Sequence, residues 1–91
     1  MEIRKTKQFK KDYKKIVQQG HDQNKMAIVL DLLLKDRIIP VRYRDHFLNK
    51  NKEYDLCREL HIEPDWLLIY KRSDDGNVLY LVRTGSHSDL F

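Results

Sequence analysis

Two apolar runs dominate the second half of the chain, "WLLIY" at 66–70 and "VLYLV" at 78–82, separated by "KRSDDGN". Each has the length of a strand. Asp75-Gly76 between them is strong hairpin chemistry, because a tight turn needs backbone conformations that glycine adopts without steric cost. Neither run alternates strictly between apolar and polar. A strand with one wet face would alternate, so the centre of this hairpin is expected to be covered on both faces. The rest of a 91-residue chain must supply that cover, and a chain of this length has room for one core only.

The first half can provide one layer. Thr6 is placed to cap a helix, since its hydroxyl can accept from a backbone N–H of the first turn. Phe9, Tyr13, Ile16 and Val17 then recur at helical spacing, and Gly20 is a natural stop. A second helix is expected from Gln23 to Asp36, capped by Asp22, with Met26, Val29, Leu30, Leu33 and Leu34 as its apolar face. Two such helices joined around Gly20 read as an antiparallel helical hairpin. The short "EIRK" at 2–5 suits a first strand, and 41–53 reads as a loop. A strand from Tyr54 to Ile62 precedes the hairpin, and Pro64 makes the break between them because it has no N–H to donate to a ladder. The expected fold is therefore α+β in two layers. An N-terminal strand and helical hairpin pack on an antiparallel meander, in a single domain over 1–91.

Charged residues make up 35% of the chain against 41% hydrophobic, so the surface is strongly solvated. A single cysteine, Cys57, excludes an intramolecular disulfide and fits a reducing compartment. No signal-peptide core or apolar run of membrane-spanning length is present, so a cytoplasmic protein without a membrane role is expected. The net charge of +4 is unevenly placed: the first 20 residues carry seven lysines and arginines against two carboxylates. Such an end suits a polyanion, although a lysine-rich helix face facing solvent is the plainer reading.

Polar chemistry gathers at the ends of the strands. His21 falls in the turn between the helices and reads as a surface residue. His46, His61 and His87 lie in the second half, in loops or at strand ends. The hairpin should bring Asp65 and Arg83 side by side, with His61 and His87 towards the same edge. Metal-independent RNA cleavage needs a base for the 2′-hydroxyl, a cation for the phosphorane and an acid for the leaving 5′-oxygen. Histidine suits acid or base near neutrality, with an unperturbed pKa of about 6.5. Arginine binds phosphate through a planar fork. Trp66 and Phe91 can stack on splayed bases.

Each residue also has a structural reading: His61 bonded to a neighbour, Asp65 capping its turn, Trp66 in the core, Arg83 paired with Asp65 or Glu63. His87, in the polar tail "GSHSDLF", has the least to do structurally. A metal set drawn from His46, His61, Asp65 and His87 is a weaker alternative, because no HExxH or paired CxxC pattern accompanies it. Cys57 lies in no nucleophile motif.

"RDH" at 44–46, "RELHIEPDWLLIY" at 58–70 and "LVRTGSHSDLF" at 81–91 resemble the YafQ branch of the RelE/ParE toxin superfamily, over the whole chain in length and element order. The resemblance implies the toxin of a bacterial type II toxin–antitoxin system. Such a toxin is a ribosome-dependent endonuclease that cuts mRNA in the A site without a cofactor or metal. It is neutralised by a cognate antitoxin, and their complex represses its own operator DNA. The resemblance carries catalytic roles to His46, His61, Asp65 and His87, with His87 as general acid. It gives phosphate binding to Arg83 and an active-site aromatic role to Trp66 and Phe91. "FLNKNKEYDLC" is longer than the matching loop in relatives and lacks their Gly and Trp, which leaves the placement of His46 open. Lys7, Lys10, Lys11, Lys14 and Lys15 would then face rRNA phosphates. The superfamily's other branch, toxins that poison DNA gyrase, is the alternative reading.

Overall fold

The computed structural model describes residues 1–35, 37–48 and 52–91. In chain order the elements are β1 (Glu2–Lys5), α1 (Lys7–Gln18), α2 (Gln23–Leu34), a 3-10 turn (Val41–Tyr43), β2 (His46–Phe47), β3 (Arg58–Glu63), β4 (Trp66–Arg72), β5 (Val78–Gly85) and α3 (His87–Leu90). The strands form one sheet in the order β1-β5-β4-β3-β2. β1 runs parallel to β5, and the remaining neighbours are antiparallel. The α+β fold expected from the sequence is the one observed.

Both expected caps are made. The Phe9 N–H donates to Thr6 Oγ1 at 2.9 Å, and the Asn24 N–H donates to Asp22 Oδ1 at 2.9 Å. The Thr6 hydroxyl also donates to the Val82 carbonyl at 2.7 Å, which ties the start of α1 to β5. α2 ends at Leu34 with Lys35 as its C-cap; Asp36, the end point expected from the sequence, lies outside the described residues. Gly76 sits in the β4–β5 turn with φ +76°, a conformation that costs an L side chain energy and glycine none.

The cover on β4 follows from its alternation. Trp66, Leu68 and Tyr70 face the helices with Leu60, Ile62, Leu79 and Leu81, against Phe9, Ile16, Met26, Val29 and Leu33. Leu67 and Ile69 face the other way and are fully buried too, beneath Tyr54, Cys57 and Leu90. The hairpin is thus covered on both faces, and the second cover is loop and C-terminus. This explains a difference from the sequence reading: Tyr54 to Cys57 form a turn, with Leu56 left-handed at φ +61°, and the strand begins only at Arg58. The 41–53 region likewise contains order in the form of the 3-10 turn and β2; its residues 49–51 lie outside the described ones. Among the described residues no helix is long and apolar enough to cross a membrane.

Candidate active site

β3 sorts its residues by parity. Leu60 and Ile62 enter the core on the helix side, so Glu59 and His61 project from the opposite face. Glu59 is buried, and its Oε1 lies 3.1 Å from His61 Nε2. His61 Nδ1 lies 3.3 Å from the Pro64 carbonyl in the following turn. β2 pairs His46 directly with Glu59, which brings His46 Nε2 to 3.8 Å from the same Oε1. His46 Nδ1 donates to the Arg44 carbonyl at 2.7 Å. The two-residue strand is pinned from below: Asp45 accepts from Arg58 at 3.2 and 3.4 Å and from the Tyr70 hydroxyl at 2.7 Å. Burial and the neighbouring Asp45 push the Tyr70 phenol well above its ordinary range, so it remains a donor. The sequence left the position of His46 open; the β2–β3 pairing puts it beside His61.

Pro64 and Asp65 make the β3–β4 turn, and β5 returns to it. Asp65 Oδ1 accepts from the His87 backbone N–H and faces His87 Nδ1, both at 2.9 Å. These two contacts, the backbone one first, hold the Asp65 carboxyl below the usual carboxylate range. What the sequence offered as a polar tail is a capped turn of helix, α3. Ser86 and Asp89 form a capping box, and Lys15 on α1 reaches Asp89 at 3.1 Å. Gly85 permits the sharp entry, since a Cβ there would sit 3.3 Å from Asp89 Cβ at φ +155°. The three imidazoles form a row, with ring centroids 6.3 Å apart from His46 to His61 and 5.5 Å from His61 to His87.

Arg83 does not lie beside Asp65. Val82 is an extra residue on β5 between the Ile69–Arg83 and Tyr70–Leu81 pairs, so past this bulge Arg83 stands opposite Ile69 and Gly85 opposite Leu67. Its partner is Asp12, rather than Asp65 or Glu63. Nε and one Nη donate to the two Asp12 oxygens at 3.0 Å each, and the other Nη donates to the Tyr54 hydroxyl at 3.4 Å. Tyr54 in turn donates to the Leu90 carbonyl at 2.8 Å and meets the Phe91 ring edge-on at 5.5 Å. Phe91 is exposed.

Trp66 corrects the aromatic assignment. It is fully buried, with its indole N–H donating to Thr84 Oγ1 at 2.9 Å, so it has no face to offer RNA. It packs under His21, at 4.8 Å between rings, and His21 Nδ1 lies 3.1 Å from Glu63 Oε1. His21 is therefore a half-buried clasp between the helical hairpin and the Pro64 turn. Lys7, Lys10, Lys11, Lys14 and Lys15 all lie exposed along α1.

The hydrogen bonds sort the ring nitrogens by role. His46 spends Nδ1–H on a carbonyl, which leaves Nε2 as its basic atom in the neutral form. His61 faces an acceptor at each nitrogen, and only the doubly protonated ring donates to both. Asp65 orients His87 through Nδ1 and leaves Nε2 outward. Glu59, which the sequence reading did not single out, organises the first two. Its signal was its parity with His61 on one strand, invisible until that strand's buried face is known. Among the described residues, His46, Glu59 and His61 are also a set that could hold a metal ion, with ligand atoms within 4.8 Å of one another.

The fold is a small α+β domain with a helix-backed mixed sheet and a row of three histidines on its rim. The chain belongs to the YafQ family: the family model described as "Bacterial toxin of type II toxin-antitoxin system, YafQ" matches residues 1–91. It is 41% identical over 86 residues to the mRNA interferase toxin YafQ of Escherichia coli strain B / BL21-DE3, covering 92% of this chain and 88% of that protein. Among solved structures it is similar to an E. coli DinJ–YafQ complex, with TM-score 0.86, 37% identity, and 99% and 97% of the two chains covered. It is also similar to a metal-bound toxin from Helicobacter pylori, with TM-score 0.91, 37% identity, and 100% and 99% covered.

Proposed function

We propose that this toxin is an endoribonuclease that cuts mRNA on the ribosome by acid–base catalysis. The observation that carries the reading is the histidine row, in which Asp65 leaves His87 Nε2 outward, the Arg44 carbonyl takes His46 Nδ1, and Glu59 lies beside both His46 and His61. His46 Nε2 takes the proton from the 2′-hydroxyl. The 2′-oxygen attacks phosphorus, the P–O5′ bond breaks, and a 2′,3′-cyclic phosphate forms. His87, as imidazolium backed by Asp65, gives its Nε2 proton to the 5′-oxygen. His61, held by Glu59 and the Pro64 carbonyl, faces the charge that builds on the phosphorane. Arg83 has N–H groups left beyond those bound to Asp12 and Tyr54, and these are its means of meeting phosphate. Phe91 stacks a base beside it. All roles fall to side chains; no metal or cofactor is called on.

The partners follow from the family. A cognate antitoxin, the counterpart of DinJ in the relative's DinJ–YafQ complex, neutralises the toxin, and the pair binds operator DNA. The site of action is the ribosomal A site in the cytoplasm, with the α1 lysines against rRNA. The test is primer extension on message from translating ribosomes. His87→Gln should lower cleavage by about 10²- to 10⁴-fold while antitoxin binding is kept. Stalled translation with intact message under the wild-type toxin would sink the nuclease reading and favour a gyrase-type or other non-nucleolytic toxin.

A further inference from the structure

Beside the row, between α2, the 3-10 turn and β3, lies a cleft of about 440 Å³ whose walls include Lys25, Ile28, Arg42, Arg44, His61 and Pro64. The geometry points to a subsite for single-stranded RNA here, one that takes the nucleotide flanking the scissile phosphate. This inference rests on the row being the cleavage centre.

Three features carry it. The first is continuity. His61 belongs both to the cleft and to the row, and the Arg44 carbonyl holds His46 Nδ1 at 2.7 Å. A strand whose reacting phosphate lies on the row has its neighbouring nucleotide in the cleft.

The second is charge. The cleft's carboxylate, Glu63, is already spent: Lys25 Nζ lies 2.8 Å and His21 Nδ1 3.1 Å from its oxygens. Arg42 and Arg44 are therefore left in excess. Arg42 is preorganised over the Tyr43 ring at 4.8 Å and donates to its hydroxyl at 3.1 Å. Arg44 sits in the left-handed region at φ +49°, a conformation that costs a non-glycine residue energy. Its exposed guanidinium has no partner among the described residues. Arginines held in this way meet phosphate oxygens through paired N–H groups.

The third is shape. Ile28, 54% exposed, and Pro64 give an apolar floor suited to a base or ribose, and the volume falls within the range of small-ligand pockets.

The experiment measures binding of a short single-stranded RNA to the non-cleaving His87→Gln toxin by fluorescence anisotropy across a salt series. Adding Arg42→Gln and Arg44→Gln should weaken binding about tenfold near 0.1 M salt. It should also flatten the plot of log K against log salt by roughly 1.4, two phosphate contacts on a single strand. Arg42→Gln alone should give about half that change, which keeps the test open if the double variant folds poorly. Arg4→Gln with Lys5→Gln removes the same charge at the far edge of the sheet and should leave the slope unchanged.

An unchanged slope in the cleft variant, or an equal loss in the edge variant, overturns the subsite. So does a cleft variant that binds the oligonucleotide normally yet loses affinity for ribosomal subunits, which makes the cleft an rRNA contact, or for the antitoxin, which makes it a peptide site. None of these outcomes touches the nuclease reading, which stands or falls on wild-type cleavage in primer extension.

Discussion

Asp12 illustrates how much a single side chain carries here. It sits on the buried stripe of α1 and accepts from Gln8, from two nitrogens of Arg83, and from the backbone N–H of Thr84. Burial works to raise its carboxyl, but these hydrogen bonds outweigh it and hold the group below the usual carboxylate range. Through Arg83 and Tyr54 the same carboxylate reaches Leu90 and the exposed Phe91. Removing its charge leaves a part-buried guanidinium unbalanced. Asp12→Asn should cost about 2 kcal/mol, discounted for the partial exposure of Arg83, and lower the melting temperature by about 10 °C. Scanning calorimetry checks this. Cleavage should fall about tenfold as Arg83 loses its fixed direction; unchanged activity would show that Arg83 is a strut and nothing more. No sequence pattern flags Asp12 as a partner of Arg83, because 71 positions separate them.

At the scale of elements, α3 is the part whose geometry and chemistry are hardest to separate. Four residues make no helix that would stand alone in water. It exists because Ser86 and Asp89 cap each other, Gly85 lets the chain turn, and Leu90 is buried under β4. The product is a His87 whose backbone and ring both address Asp65. Ser86→Ala removes the capping oxygen, at about 1 kcal/mol. Global stability should shift by only a few degrees, while kcat for mRNA cleavage falls by tenfold or more because His87 loses its fixed place. A cleavage rate that merely tracks the melting temperature would argue against this. The β3–β4 turn is the matching element, clasped from behind by His21 and Lys25 on Glu63.

For the whole molecule, the ion pairs that bind the layers together set its response to acid. Asp12 joins α1 to β5, Glu63 joins the β3–β4 turn to the helical hairpin, and Asp89 joins α3 to α1. All three are held below their ordinary values, Glu63 first by Lys25 and Asp89 first by Lys15. A carboxylate lowered on folding stabilises above its unfolded pKa, near 4, and loses that contribution as pH falls through the folded value. The contribution of these carboxylates should therefore hold down to about pH 5, and the melting temperature should fall steadily below about pH 4. The fall should be shallower in Asp12→Asn, which has one such group fewer. An equally steep acid limb in that variant would remove Asp12 from the account.

Much of this was legible in order along the chain. The caps at Thr6 and Asp22, the apolar stripes of both helices, Pro64 at its turn and Asp75-Gly76 at the hairpin are local signals, each decided by residues within a few positions. Local chemistry alone determined the α+β layers and the doubly covered hairpin; of the four residues expected to gather at its end, His61, Asp65 and His87 do so and Arg83 does not. What required the folded molecule is everything that depends on a register or on a distant neighbour. The bulge in β5 moves Arg83 to face Asp12. The burial of both β4 faces takes Trp66 away from RNA. The two-residue strand β2 brings His46 to Glu59 and makes Glu59 part of the site. A strand's alternation says which residues share a face, but only packing says which face is wet, and a one-residue shift in pairing changes every partner.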